Sequence, residues 1–301
     1  MSTPVVTTAE VTSLPLAGRL SDYVQLVRPK IAVMVLVTTL IGGLLAADGK
    51  VDGLTLLWTL LGTGLVTAGA SALNQLLEKR SDARMHRTEN RPLPAKRLGS
   101  TEVMVLGLAT TLAGIAILAF LKTGPAAALV AATSFVLYVF AYTPAKRRTW
   151  LNTFIGAVPG ALPPLIGWAG VRGTLNWEAM PLFLILFFWQ VPHFMAIAWI
   201  YRDDYRRAGL KMLPNFDPTG VRTTWAMISH MMLLLAVSLL PLRFGAGWLF
   251  AAGAAALGLL FLAPMLKFAR DHSVTTARQI LRLSLAYLPG VLILLLCDRF
   301  V

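Results

Sequence analysis

VMVLGLATTLAGIAILAFL (103–121), KTG (122–124) and PAAALVAATSFVLYVFAYT (125–143) follow one another without a break and decide the fold. Two runs of 19 residues carry no charged side chain and are separated by only three residues. At ~1.5 Å per residue, a helix of that length matches the ~30 Å hydrocarbon core of a bilayer. Backbone in lipid must satisfy its own hydrogen bonds, so such runs become helices. The stretch therefore reads as two membrane-spanning helices joined by a tight turn.

The same pattern extends outward in both directions. Apolar runs recur at 31–48, 54–77, 151–171, 179–200, 223–241, 246–265 and 280–297, which makes nine spans. Composition agrees: 56% of the 301 residues are hydrophobic and 14% charged, with a mean hydropathy of +0.68. A soluble domain carries roughly a quarter of charged residues, so a soluble enzyme is excluded. The expected fold is all-α: a polytopic membrane protein with about nine transmembrane helices around a central cavity.

The net charge of +13 does not point to nucleic acid, because Lys and Arg flank the apolar runs. The amino-terminal segment and the connections after spans two, four, six and eight hold 22 of them; the other side holds five. Positive residues collect on the cytoplasmic side, which places the amino terminus and the long connections 78–102, 201–222 and 266–279 in the cytoplasm. Residues 1–24 lack an apolar signal region and the Arg-rich bias of a transit peptide. They read as a mobile cytoplasmic tail, with residues 25–301 as the membrane-embedded domain of a bacterial inner membrane protein. Cys297 is the sole cysteine, which excludes an intramolecular disulfide and a cysteine metal cluster.

Seven of the 14 acids lie in the two longest connections: Glu78, Asp82, Glu89, Glu102, Asp203, Asp204 and Asp217. Asn74, Glu78 and Asp82 are spaced by four, so a helix keeps them on one face. Such an oxygen ladder suits a hard cation such as Mg²⁺, which is held by one or two carboxylates together with substrate phosphates. Arg84-Met85-His86-Arg87-Thr88-Glu89-Asn90-Arg91 follows, rich in donors for phosphate oxygens. The second connection opens Tyr201-Arg202-Asp203-Asp204-Tyr205-Arg206-Arg207, again mixing acids and bases at a membrane exit. The competing reading is ordinary solvated charge among topogenic arginines; two such loops on one side, one with helical oxygen spacing, weigh against it.

Polar groups within the spans are rarer. His193, in Trp189-Gln190-Val191-Pro192-His193-Phe194, is ionisable at membrane depth and thus a candidate for function, either toward a haem or as a bond to a neighbouring helix. His230 has no accompanying motif and reads as a packing residue. Gly156, Pro159-Gly160 and Pro163-Pro164 interrupt the fifth span, which is tolerated where backbone is buried or lines a cavity. Gly62, Gly64 and Gly69 mark close helix packing.

These segments resemble the membrane-embedded prenyltransferase superfamily typified by 4-hydroxybenzoate polyprenyltransferase, and within it the branch of protohaem IX farnesyltransferases, over roughly residues 25–297. The resemblance rests on Arg28-Pro29-Lys30, Asn74-x-x-x-Glu78-x-x-x-Asp82, Met85-x-Arg87-Thr88-x-x-Arg91-Pro92-Leu93, Tyr142-Thr143-Pro144-x-Lys146-Arg147, Trp189-Gln190-x-Pro192-His193-Phe194 and Asp204-Tyr205-x-x-Ala208-Gly209. Glu78 departs from the usual Asp, and Tyr201 and Tyr205 stand where the superfamily's second motif has acids. The resemblance implies transfer of farnesyl from farnesyl diphosphate to a vinyl group of haem b, giving haem O and diphosphate. It assigns Asn74, Glu78, Asp82 and Asp204 to Mg²⁺, with Lys146 catalytic. Arg28, Arg87, Arg91, Arg147, His193, Asp203 and Tyr205 are assigned to the substrates. The lipid bilayer is the working environment, and haem A synthase or a terminal oxidase is the expected assembly partner. A prenyltransferase of an aromatic quinone precursor is the nearest alternative. An anion transporter fits less well, because transporters place ionisable residues near the midplane.

Overall fold

The computed structural model describes residues 16–47, 49 and 52–298. These residues form helices without a strand. In chain order they are α1 (Leu16–Val27), α2 (Pro29–Ala46), α3 (Gly53–Asp82), α4 (Ser100–Phe120), α5 (Pro125–Val136), α6 (Thr143–Arg148), α7 (Asn152–Gly160), α8 (Pro163–Arg172), α9 (Met180–Ile200), α10 (Arg202–Arg207), α11 (Val221–Val237), α12 (Trp248–Asp271) and α13 (Val274–Asp298). A π-helical segment, Leu137–Tyr142, joins α5 to α6. Nine helical stretches among the described residues are long and apolar enough to cross a membrane, and they coincide with the nine apolar runs of the sequence. The protein is a multi-pass membrane protein.

Proline sets several starts. Pro29, Pro125 and Pro163 open α2, α5 and α8, where a missing N–H costs nothing. Span five is broken as its glycines and prolines predict: α7 ends at Gly160 and α8 begins at Pro163. Carbonyls near the break find side-chain donors. Ser134 Oγ donates to Pro159 at 3.1 Å, and Gln190 Nε2 donates to Ala157 at 3.3 Å. Buried in lipid, unpaired carbonyls would cost several kcal/mol.

Small residues bring the helices together. A Cβ on Gly62 would lie 2.6 Å from Leu118 Cγ, and one on Gly114 would lie 2.6 Å from the Gly62 carbonyl oxygen. Gly69 and Gly107 repeat that close approach one step along α3 and α4. Gly64 instead faces Leu36 at ordinary contact distance, so only two of the three span-two glycines are packing residues. Gly42 and Gly167 do the same for α2 and α8, against Pro164 and the Thr39 carbonyl. Neighbouring spans pack in sequence, with α7 against α9, and α13 returns to both α9 and α2.

Two expectations require correction. Residues 266–279 are not a long connection: α12 continues to Asp271 and α13 starts at Val274. His272 makes the turn in a left-handed conformation (φ 43°). The boundary at residue 24 also fails, because it falls inside α1. Of the segment read as a tail, residues 1–15 lie outside the described residues. The rest is helix, docked through Arg97 Nε to Asp22 at 2.9 Å and Arg19 to Glu102 at 2.8 Å.

Candidate active site

Helix α3 carries the oxygen ladder to its last residue. Asn74, Glu78 and Asp82 are all buried (0%, 6% and 1% exposed), which solvated loop charges would not be. Helix α6 holds two of them and the loop after α3 holds the third. Lys146 Nζ of α6 lies 2.7 Å from Glu78 Oε1. Arg91 of the following loop lies 2.7 Å from Asp82 Oδ2. Asn74 Nδ2 donates to Thr143 Oγ1 at 2.9 Å, and Thr143 donates in turn to the Tyr138 carbonyl at 2.8 Å. That chain holds the amide nitrogen of Asn74 on Thr143 and so fixes its oxygen.

The π-helical segment supplies a second polar wall. Its extra residue per turn re-aims side chains, and such segments concentrate at functional sites. Tyr142 lies under Lys146, with Nζ 4.4 Å from the ring centre. Tyr138 Oη accepts from Arg28 Nη1 at 3.4 Å. Arg28 joins α1 to α2 in a left-handed conformation (φ 55°). Burial disfavours its charge, but Tyr138, Glu78 and Asp82 outweigh this and raise its pKa. For Arg91, burial prevails with Arg28 adding to it, so its pKa falls although Asp82 opposes the shift. Two carboxylates thus face three cations, with Arg87 acting on Arg91 as a fourth.

Two loops meet over this cluster. Met85 of the first packs with Tyr205, Ala208, Leu210 and Met212 of the second. Arg87 donates to Tyr205 Oη at 3.2 Å, and its guanidinium lies over the rings of Tyr201 and Tyr205 at 5.1 and 5.8 Å. Arg207 contacts His86 at 3.1 Å.

The structure gathers most, but not all, of the residues singled out in the sequence. Asn74, Glu78, Asp82, Lys146, Arg91 and Arg28 come together, and Arg87 with Tyr205 closes one side. The four-ligand metal set is not assembled, however. Asp204 is paired with Arg207 of its own helix. Asp203 is three-quarters exposed and 3.4 Å from Arg206. Partners at i+3 satisfy both acids locally. Among the described residues no three acidic, His or Cys side chains are placed to hold a metal. Arg147 is exposed and donates to Ser81 Oγ at 3.2 Å, on a neighbouring face of α3. His193 is a helix clamp: its Nδ1 lies 2.7 Å from Ser284 Oγ of α13, and its ring stacks on Trp189. His230 packs on Phe154 and Phe188, as expected. Tyr138, Tyr142 and Tyr201 were given no role in the sequence. Tyr138, Tyr142 and Lys146 share the spacing of four that exposed the ladder, and that signal was available.

Does the site fit a divalent cation? Asn74 Oδ1 and Asp82 Oδ1 are buried oxygens without a hydrogen-bond partner, and Glu78 lies between them on the same face. Buried oxygens left unpaired are costly. Hard oxygen donors on one helix face are what Mg²⁺ takes. The residues fit.

A profile of the UbiA prenyltransferase family matches residues 35–286. The chain is 42% identical to a protoheme IX farnesyltransferase of Solibacter usitatus over 288 residues, covering 92% of this chain and 98% of that one. It is 40% identical to one from Koribacter versatilis (94% of each chain) and 42% identical to one from Salinibacter ruber (93% and 99%). A solved digeranylgeranylglyceryl phosphate synthase shares the fold with a TM-score of 0.78 at 18% identity, covering 94% of this chain and 99% of that one. A UbiA homolog from Archaeoglobus fulgidus, bound to DMAPP and Mg²⁺, gives 0.68 at 15% identity over 90% and 99%. On the profile match and these relatives, the chain belongs to the UbiA prenyltransferase family, in its protoheme IX farnesyltransferase group.

Proposed function

We propose that this protein transfers the farnesyl group of farnesyl diphosphate to a vinyl group of haem b, releasing diphosphate and giving haem O. The observation that carries the reading is the buried cluster at the end of α3. Two carboxylates there face Arg28, Arg91 and Lys146, with Arg87 at the rim. A surplus of positive charge in a low-dielectric site is costly unless an anion shares it. A diphosphate is an anion of the right chemistry, and the names of the relatives supply the acceptor.

Asn74, Glu78 and Asp82 would hold Mg²⁺, which when bound would neutralise diphosphate charge and so favour its departure. Arg28, Arg91, Lys146 and Arg87 carry the remaining charge of the leaving group. Fixed cations that meet charge as it develops are usually the largest catalytic contribution. The C1–O bond of farnesyl diphosphate breaks and its electron pair leaves with the diphosphate. The vinyl π electrons then form the new bond to C1. Water adds to the carbon left electron-poor and loses a proton, which supplies the hydroxyl of haem O. Tyr138 and Tyr142 lie beside Arg28 and Lys146, and hold those two cations in place. We place the site on the cytoplasmic face of a bacterial inner membrane, on the 22-to-five division of basic residues.

The test is acceptor choice. Purified protein in liposomes, supplied with farnesyl diphosphate and Mg²⁺, is expected to consume haem b and to leave 4-hydroxybenzoate unmodified. Prenylation of 4-hydroxybenzoate with haem b untouched would overturn the assignment.

A further inference from the structure

Arg28 is held in an unusual way. It is the single residue between α1 and α2, its φ of 55° is left-handed, and it is not glycine. A non-glycine residue in that region is strained, and such strain persists only where its surroundings enforce it. Its guanidinium is drawn toward Tyr138, Glu78 and Asp82, while its buried Nε has no partner.

What enforces the conformation also comes from α3, at Gln75, and from the segments packed beside it. Gln75 Nε2, fully buried, donates to the Leu26 carbonyl at 2.7 Å, two residues before Arg28. One turn earlier on α1, buried Asp22 accepts from Arg97 Nε at 2.9 Å. Leu26 is buried among Ala72, Leu93, Leu98 and Val103. The last two turns of α1 are therefore pinned at a carbonyl, a carboxylate and an apolar side chain, to α3, the connection that follows it and the start of α4. None of these groups belongs to the charged cluster itself.

We propose that α1 is a strap that positions Arg28 for the diphosphate, and that Gln75 and Asp22 are its fastening points. Gln75 sits next to Asn74 but about 100° further round the helix. One pair of adjacent residues thus serves both roles: Asn74 faces the cation site, and Gln75 sets the residue that faces the leaving group. The inference rests on the reading of Arg28 as a diphosphate ligand.

The experiment is a double-mutant cycle read by binding of farnesyl thiodiphosphate, an unreactive analogue, to the full-length protein with Mg²⁺. Arg28→Ala is expected to weaken binding about 100-fold, as for loss of a preplaced cation. Gln75→Leu should weaken it roughly tenfold, the size of one lost hydrogen bond. It should raise KM more than it lowers kcat. In the Arg28→Ala background, Gln75→Leu should add nothing, because its effect passes through Arg28. Asp22→Asn serves as a second variant should Gln75→Leu misfold, with the same non-additivity expected. Full additivity in the double variant, or unchanged binding in a folded Gln75→Leu, would overturn the strap. Unchanged binding in Arg28→Ala would instead remove the diphosphate role of Arg28, and the strap with it.

Discussion

Burial separates Asp82, together with Glu78, from Glu89 and Glu102 of the same connection. The Asp82 carboxylate is 1% exposed, with one oxygen on Arg91 and the other free. Asp82→Asn keeps the shape and removes the charge that both Arg91 and a divalent cation need. Turnover is expected to fall by about 10³, measured as haem O formed per minute by purified protein of unchanged helicity. Chelation should abolish the wild-type rate, and added Mg²⁺ should restore it; full turnover in excess chelator would remove the metal from the account. Lys146→Met leaves Glu78 buried and unpaired, a loss on the order of 3–5 kcal/mol, seen as a lowered Tm in detergent. The ladder was legible in the sequence because a spacing of four on one helix needs no knowledge of the rest of the chain. The partners of its members were not, since Lys146 is 68 residues from Glu78. The surroundings of Asp204 were not legible for a related reason. Its motif is conspicuous, yet an arginine three residues away satisfies it within its own helix, and no one-dimensional pattern separates the two fates.

Helices here owe their contacts to residues too small to attract notice singly. Gly167 packs so closely on the Thr39 carbonyl of α2 that a methyl group has no room. Gly167→Ala is therefore expected to cost about 1–3 kcal/mol or more, read as a drop in Tm with α2 and α8 pushed apart. At the start of α11, Asp217 Oδ2 accepts from the Thr223 amide at 2.7 Å. Burial acts to raise the Asp217 pKa, but this bond and those from Arg222 and Thr219 outweigh it and hold the pKa below the usual carboxylate range. A carboxylate lowered on folding contributes stability above its unfolded pKa and loses it as pH falls through its folded one. Asp217→Asn should accordingly lower Tm at neutral pH, by the equivalent of ~1 kcal/mol. It should also flatten the loss of stability on acidification; an unchanged pH profile would refute that contribution. Span positions were legible from apolar run length, and the broken fifth span from its Gly and Pro residues. The extension of α12 to Asp271 and the docking of α1 were not, because polar surface reads alike in a loop and in a helix that leaves the membrane.

Across the whole molecule most basic residues, 22 of 27, fall on one side of the span pattern. The end of α3, the loop after it, α6 and α10 bring their acids and bases together there, while the lipid-facing surfaces are apolar. Lys96 and Arg243 belong to opposite faces in this arrangement. In a Cys297→Ser background, Lys96→Cys and Arg243→Cys should react with an impermeant thiol reagent from opposite sides of sealed vesicles; labelling from the same side would break the nine-span topology. The two loops do converge, as the sequence implied, but through Met85, Tyr205, Arg87 and Arg207 rather than through facing carboxylates. On the proposed reading the cation site lies on α3, and the second loop packs on the first beside it. The most direct test is the mass of the haem recovered from liposomes containing the purified protein, haem b, farnesyl diphosphate and Mg²⁺, beside the Asp82→Asn variant. A haem carrying one farnesyl group and one added water from the wild type, and unmodified haem b from the variant, is the predicted result. Equal yields from both, or unaltered haem b from an intact wild-type protein, would contradict it.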